Sequence, residues 1–423
     1  MFNLSHASAS RSALLALALS AGLLASPTAE AYSTQWVAWN AVRWSGNGAT
    51  FNMVGASPGS MEWESVQDAM DIWNESGSNV WVNLVQGGSS WFFPNFSNEI
   101  CFTTNQSVFP NGSDGVTYWW FDPFGNMVEA DILLDANTDW TDSTYKHDQW
   151  VYDGPDSSAQ SVMVHELGHA VGLQHENRWY NVMGDSWEYL ATNGSQAHSY
   201  VGADATMGAA SLYGWDYYLE DYSAVHFKWT GVNGEYSEHG RTHVYDTSGR
   251  LRPWRTDKDE PVHRVWPGAT VEVEFTYEAL GPYGRGVEVD FYLSGNDYIS
   301  QWDQLLGTSW VTIFAGFPQT LRHRVTIPYS VAPGTYSIGP RIDSSYDQDS
   351  GNDATYIDIL VVDDYWNLCT PGAPCERHLG DCDTNTDCQG SLVCNQNVGA
   401  SYGARSDLDV CDYPLGSYSY CSE

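Results

Sequence analysis

The run His165-Glu166-Leu167-Gly168-His169-Ala170-Val171-Gly172-Leu173-Gln174-His175 carries three imidazoles and one carboxylate at spacings that suit metal chemistry. Residues four apart share a helix face, so His165 and His169 can aim ring nitrogens at one ion. Gly172 suits a left-handed turn that ends the helix and brings His175 to the same ion. Three neutral histidines leave the fourth corner of a tetrahedral zinc to water, the pattern of a hydrolytic site. Glu166 lies one position round the helix from the first ligand and outside the ligand set. There its carboxylate can act as general base towards that water. A short match of this kind arises by chance on ordinary helices. Here Gly172 and His175 both fall at the required offsets, and a second element, Asn181-Val182-Met183-Gly184, follows closely.

These groups need a rigid frame. The stripe Val66, Met70 and Trp73 predicts a helix over Glu62 to Glu75. Thr50 to Val54, Val80 to Val85, Glu99 to Thr103, Val116 to Phe121 and Val128 to Leu134 read as strands of one twisted sheet, separated by Gly, Asn, Ser and Pro clusters. The histidine-bearing helix is predicted to start at Ser157 or Ser158, either of which can cap its first amides, and to run to Gly172 under that sheet.

At the zinc motif and Met183 the chain resembles the metzincins, whose signature is this eleven-residue motif followed by a methionine-containing turn. The eight residues from His175 to Met183 make it similar to the matrixin branch, the family of the matrix metalloproteases. Ala130-Asp131-Ile132-Leu133-Leu134-Asp135 with Asp139-Trp140-Thr141 resembles the matrixin strand that runs into an acidic loop and a Trp. Asp204 through Leu212-Tyr213-Gly214 resembles that domain's closing helix. The resemblance covers about Ala41 to Gly214. It implies zinc held by His165, His169 and His175, Glu166 as the base, and Met183 beneath the metal as packing. It also implies a polypeptide substrate laid along the edge strand Gly115 to Phe121. Gly184-Asp185 stands where matrixins usually have Tyr-Pro, so the floor of the specificity pocket should differ, and Asp185 leaves no tyrosine ligand in the turn. The N-terminal cysteine switch typical of matrixins is not expected.

Arg11, the apolar run Ala13 to Ala25 and Ala29-Glu30-Ala31 read as a secretory signal over 1–31, too short in its apolar part to span a bilayer, with the mature chain starting at Tyr32. The expectation is a secreted, extracellular protein without membrane insertion. A formal net charge of -36, with 17 Lys+Arg against 53 Asp+Glu, argues against nucleic acid as a partner. Ca²⁺ is a second candidate cofactor, structural rather than catalytic, with Asp135 and Asp139, or Asp347, Asp349 and Asp353, as contributors. Most such clusters are solvated surface.

The expected fold class is α+β: a metzincin catalytic domain of twisted mixed sheet and active-site helix over 32–214, followed by an all-β sandwich and a small disulfide-rich tail. Residues 215–268 read as a linker or the start of the β region. Val271 to Tyr277, Val287 to Leu293, Arg322 to Ile327 and Ile357 to Val362 alternate as strands of a sandwich over 269–365. Phe291-Tyr292-Leu293-Ser294, Asp303-Gln304-Leu305-Leu306-Gly307 and Val331-Ala332-Pro333-Gly334-Thr335-Tyr336 resemble CARDB-type modules, which implies an extracellular surface or matrix ligand, or a spacer. Seven of the eight cysteines lie in the tail, 366–423, which has too few apolar residues to hold itself together without disulfides. Seven is odd, so either Cys101 pairs with the tail or one thiol is free or intermolecular. The reading is a zinc endopeptidase. The rival reading is an adhesion or binding protein with an inactive or latent metzincin domain.

Overall fold

The computed structural model describes residues 2–5, 32–37, 39–88, 94–185, 189–362, 375, 382, 384–398 and 409–414. The expected export signal, apart from Phe2–Ser5, lies outside these, as do Cys369 and Cys421.

The N-terminal half is built on one sheet, ordered Phe2–Ser5, Gly115–Phe121, Met127–Asp135, Glu99–Thr103, Gly48–Val54, Trp81–Gln86. The last four strands run parallel, and Gly115–Phe121 turns back antiparallel on Met127–Asp135. Beyond Gly115–Phe121 the sheet carries only the antiparallel segment Phe2–Ser5, paired to Tyr118–Phe121.

Two helices pack on this sheet. α1 spans Met61–Asn74, with Ser60 Oγ accepting from Trp63 N as its cap. Its buried stripe of Val66, Ala69, Met70 and Trp73 meets α2, Ala159–Ala170, where Trp73 Nε1 also donates to Val164 O at 2.9 Å. Val66 and Met70, fully buried, each contribute about 1.5–3 kcal/mol, and this seam fixes α2 under the sheet. Ser158 caps α2, accepting from Ser161 N. α3, Gly202–Tyr213, closes this half and ends at Gly214.

Residues 215–268 are folded into the β region rather than forming a linker. Tyr222–Val225 and Val244–Asp246 both pair with Thr270–Ala279, which also pairs with Gln319–Thr326. The facing sheet is ordered Trp254–Asp257, Glu260–Val265, Ile357–Val361, Gly334–Asp343, Arg285–Ser294, Gln304–Ile313. Between the two sheets lies a core that includes Val273, Phe275, Val289, Phe291, Ile338 and Ile359. Gln304–Ile313 was not foreseen as a strand because it is an edge strand, mostly exposed and without clean alternation.

The two halves share a core: Val225, Phe227 and Leu280 belong to the apolar cluster of the N-terminal half. Buried polar links reinforce the seam. Lys146, 2% exposed, reaches Glu260 Oε2 at 2.9 Å and Asp297 Oδ2 at 3.3 Å and also contacts Tyr356 Oη. Burial would lower the Lys146 pKa, but the Glu260 carboxylate outweighs it and holds the ammonium charged. Glu278 accepts from Tyr200 Oη, Tyr189 Oη and Ala203 N at the start of α3.

In the tail, Cys382 is bonded to Cys394 and Cys388 to Cys411, and Cys375 is also in a disulfide. Cys101 is a free thiol, buried with Val108, Phe109, Val116 and Leu133, so it does not tether the tail. Its place on a central parallel strand encloses it. Among the described residues no helix is long and apolar enough to cross a membrane.

Candidate metal centre and catalytic cleft

α2 presents His165 and His169 on one face, and the chain then turns at Gly172, whose φ of 104° is open to glycine at little cost. A Cβ there would also stand 2.5 Å from Val42 O. The turn brings His175 back, and ring nitrogens of His165, His169 and His175 lie within 4.8 Å of one another.

The rings are oriented from behind. His165 Nδ1 is 2.6 Å from Val182 O, and His169 Nδ1 is 3.0 Å from Leu173 O. A carbonyl can only accept, so each Nδ1 carries the proton and each Nε2 keeps its lone pair. His175 Nδ1 faces the carboxylate oxygen Glu235 Oε1 at 3.4 Å, a contact that favours a proton on Nδ1. His169 Nε2, which keeps its lone pair, stands 3.0 Å from His175 Nε2, and His165 offers a third ring nitrogen beside them. Three imidazole nitrogens this close converge on one point. The donor set therefore fits a zinc ion, which favours imidazole ligands in threes at open sites.

Met183 lies beneath this site, 1% exposed. It approaches α2 so closely that a Cβ on Gly168 would sit 2.3 Å from its sulfur, which explains a glycine in mid-helix despite the cost of about 1 kcal/mol relative to Ala. Met183 O also accepts from Glu176 N at 3.2 Å, closing the loop after the third histidine.

Glu166 is buried beside the histidines, and Thr117 Oγ1 donates to its Oε2 at 2.6 Å. Burial pushes the carboxyl up to about 7, and the Thr117 hydrogen bond works against that shift. A cation on the histidines acts in the same sense as Thr117 and favours the carboxylate. Thr117 was not singled out in the sequence, since one Thr in a strand carries no signal of its partner.

A cleft of about 460 Å³ runs over these groups. One wall is the segment Pro110 to Thr117 and includes the start of the edge strand; the floor is α2; the opposite wall includes Gly184, Asp185, Asn233, Tyr236 and Ser237. Residues 233–237 were not foreseen. They belong to a hairpin, Phe227–Asn233 with Tyr236–Arg241, that no local motif connects to the metal.

The expected Ca²⁺ contributors fall out differently in the two groups. Asp135 accepts from Asn137 N, Asn137 Nδ2 and Gln106 Nε2 and so ties its own turn, while Asp139 is placed across that turn by its carbonyl bond from Ser157 N. Asp347 and Asp353 lie beside Asp221, and burial pushes Asp353 up to about 9. Asp349 is exposed and accepts from Gly351 N. We assign no cation to either group.

Residues 43–214 match the family model of the matrixins, a peptidase family. This segment is a matrixin domain. The matrixin domain accounts for all three histidines, Glu166 and Met183, and for none of the hairpin. No curated protein matches the chain. Among solved structures it is similar to the CARDB domain of a Pyrococcus furiosus protein determined with di-metal ions, at 20% identity over 24% of this chain and 86% of that one, with a TM-score of 0.19. The solution structure of that domain gives 16% identity, 34% and 96% coverage and a TM-score of 0.21. The sporulation control protein of Bacillus subtilis gives 14%, 30% and 51%, and 0.19. At these TM-scores the likeness carries no weight, and the sandwich stands on its own strands and core.

Proposed function

We propose that the protein is a secreted zinc-dependent endopeptidase. The observation that carries the reading is the convergence of ring nitrogens of His165, His169 and His175 within 4.8 Å of one another beside a buried carboxylate, Glu166. His165, His169 and His175 would hold the metal. When bound, zinc acidifies water and polarises the scissile carbonyl as a Lewis acid.

The protein's own groups supply the proton path and the substrate's position. Glu166, with Oε2 held by Thr117, accepts a proton from the attacking water and returns it to the leaving amine nitrogen as the C–N bond breaks. A substrate chain in extended form can add to Gly115–Phe121, because that strand already accepts an antiparallel partner in Phe2–Ser5. Removal of an export signal ending at Ala31 would free that edge for substrate. This favours a polypeptide over a small amide. Secretion is supported by the same N-terminal pattern and by tail disulfides, which persist in oxidising compartments. The β-sandwich is a candidate binder of an extracellular surface or matrix ligand. The adhesion reading with an inactive or latent metzincin domain has no specific feature in its favour.

The test is casein hydrolysis by the purified mature chain, before and after chelation and after zinc is restored. Activity should vanish with chelation and return with zinc. Undiminished cleavage after the metal has been removed would refute the reading.

A further inference from the structure

The fifty-nine residues between His175 and Glu235 cross out of the matrixin segment, yet the hairpin they lead to is seated on the metal site. Tyr236 lies against the His175 ring, with centroids 4.0 Å apart and planes at 37°. Glu235 Oε1 faces His175 Nδ1 at 3.4 Å. The hairpin is anchored at both ends of the loop that follows the zinc motif. Asn177 Nδ2 donates to Gly234 O at 3.0 Å and Trp229 Nε1 to Asn177 O at 3.1 Å. On the other strand, Asn181 N donates to His239 Nε2 at 3.4 Å, and His239 Nε2 is 2.8 Å from Ser237 Oγ. His239 is buried, and burial pushes its pKa down to about 3, so the ring stays neutral and able to accept.

Gly184 gives this docking a covalent trace in the sequence. A Cβ there would stand 1.6 Å from Ser237 Oγ, so the hairpin occupies the space that any side chain at this position would need. The departure from Tyr-Pro after Met183 is thus matched by a wall supplied from the β region. His165 and His169 are oriented by backbone carbonyls of their own segment, whereas the third histidine meets a carboxylate from outside it.

We propose that Glu235 is a positioning residue of the metal site, holding His175 through Nδ1 while Tyr236 clamps the same ring. The β region thereby completes a site that the matrixin segment does not complete alone. A carboxylate behind a ligating imidazole fixes its tautomer and raises its basicity, and loss of such a partner typically lowers metal affinity about 10- to 100-fold. This proposal rests on the zinc reading above.

The experiment is zinc affinity, measured by competition with a chromogenic chelator on the full chain, for wild type, Glu235→Gln, Tyr236→Leu and Glu238→Gln. Glu235 is about half exposed (48%), so its substitution should leave the fold intact, checked by the melting curve of the metal-free protein. Glu238 is an exposed carboxylate of the same hairpin that also lines the cleft, and among the described residues no contact ties it to a histidine ligand, so it controls for loss of charge near the metal. Glu235→Gln should weaken zinc binding about 10- to 100-fold, Tyr236→Leu should weaken it too, and Glu238→Gln should do so far less. Equal affinities for wild type and Glu235→Gln, or equal losses for Glu235→Gln and Glu238→Gln, would overturn the positioning role. A wild type that holds no zinc would overturn the metal reading itself.

Discussion

Within α2 the base and two ligands come from five consecutive positions, 165–169, and are set by helix geometry alone; the hairpin meets the third ligand, His175, from the far side of a domain boundary. The helix side is organised by covalent spacing, backbone carbonyls and a methionine floor. The hairpin side is organised by tertiary docking, through a carboxylate–imidazole contact, a tilted ring contact and side-chain hydrogen bonds. Chemistry thus sits where the chain is locally determined. The shape of the cleft, and the hold on the third ligand, sit where two halves of the protein must be folded together.

If the hairpin's place depends on the seam between the halves, breaking that seam should be costly. Lys146→Met leaves Glu260 buried without its cation, and removal of one partner of a buried pair typically costs about 3–5 kcal/mol. A melt of the metal-free chain should show this loss, and a melting point equal to wild type would mean that the buried pair does not hold the halves together. A smaller effect is expected on the helix side. Gly168→Ala forces a Cβ against Met183 Sδ, and overpacking of this kind costs about 1–3 kcal/mol. Denaturant titration should resolve it. Neutral or stabilising behaviour would mean that the methionine floor is not packed tightly against α2, since Ala otherwise favours a helix over Gly.

The contrast also explains what could be read from the sequence. The zinc motif, the helix stripe of Val66, Met70 and Trp73, and the buried strands announce themselves because their periodicity and spacing are local. Their structural bounds fall close to those expected: Met61–Asn74 for the helix, Gly115–Phe121 and Met127–Asp135 for the strands. The hairpin is different. Phe227–Asn233 is mostly exposed, and its pattern carries no core signal. Glu235 and Tyr236 are ordinary surface residue types until the fold places them over His175. Gly184 was the visible clue. Its departure from the matrixin pattern was read as an altered pocket floor, and the missing side chain proves to be room for Ser237. Residues 215–268 were ambiguous for a related reason, because their short strands pair with partners far along the chain. Cys101 offers a last case. Counting cysteines left its partner open, and only its burial on the central sheet identifies it as a lone thiol.

The central claim is that Glu166 acts on the proton while the three histidines act on the metal. The most direct test is Glu166→Ala, with zinc content and casein hydrolysis measured on the same sample. Zinc should be retained at wild-type stoichiometry while hydrolysis falls about 10²- to 10⁴-fold, the usual contribution of a general base. Hydrolysis at the wild-type rate by zinc-loaded Glu166→Ala would contradict it.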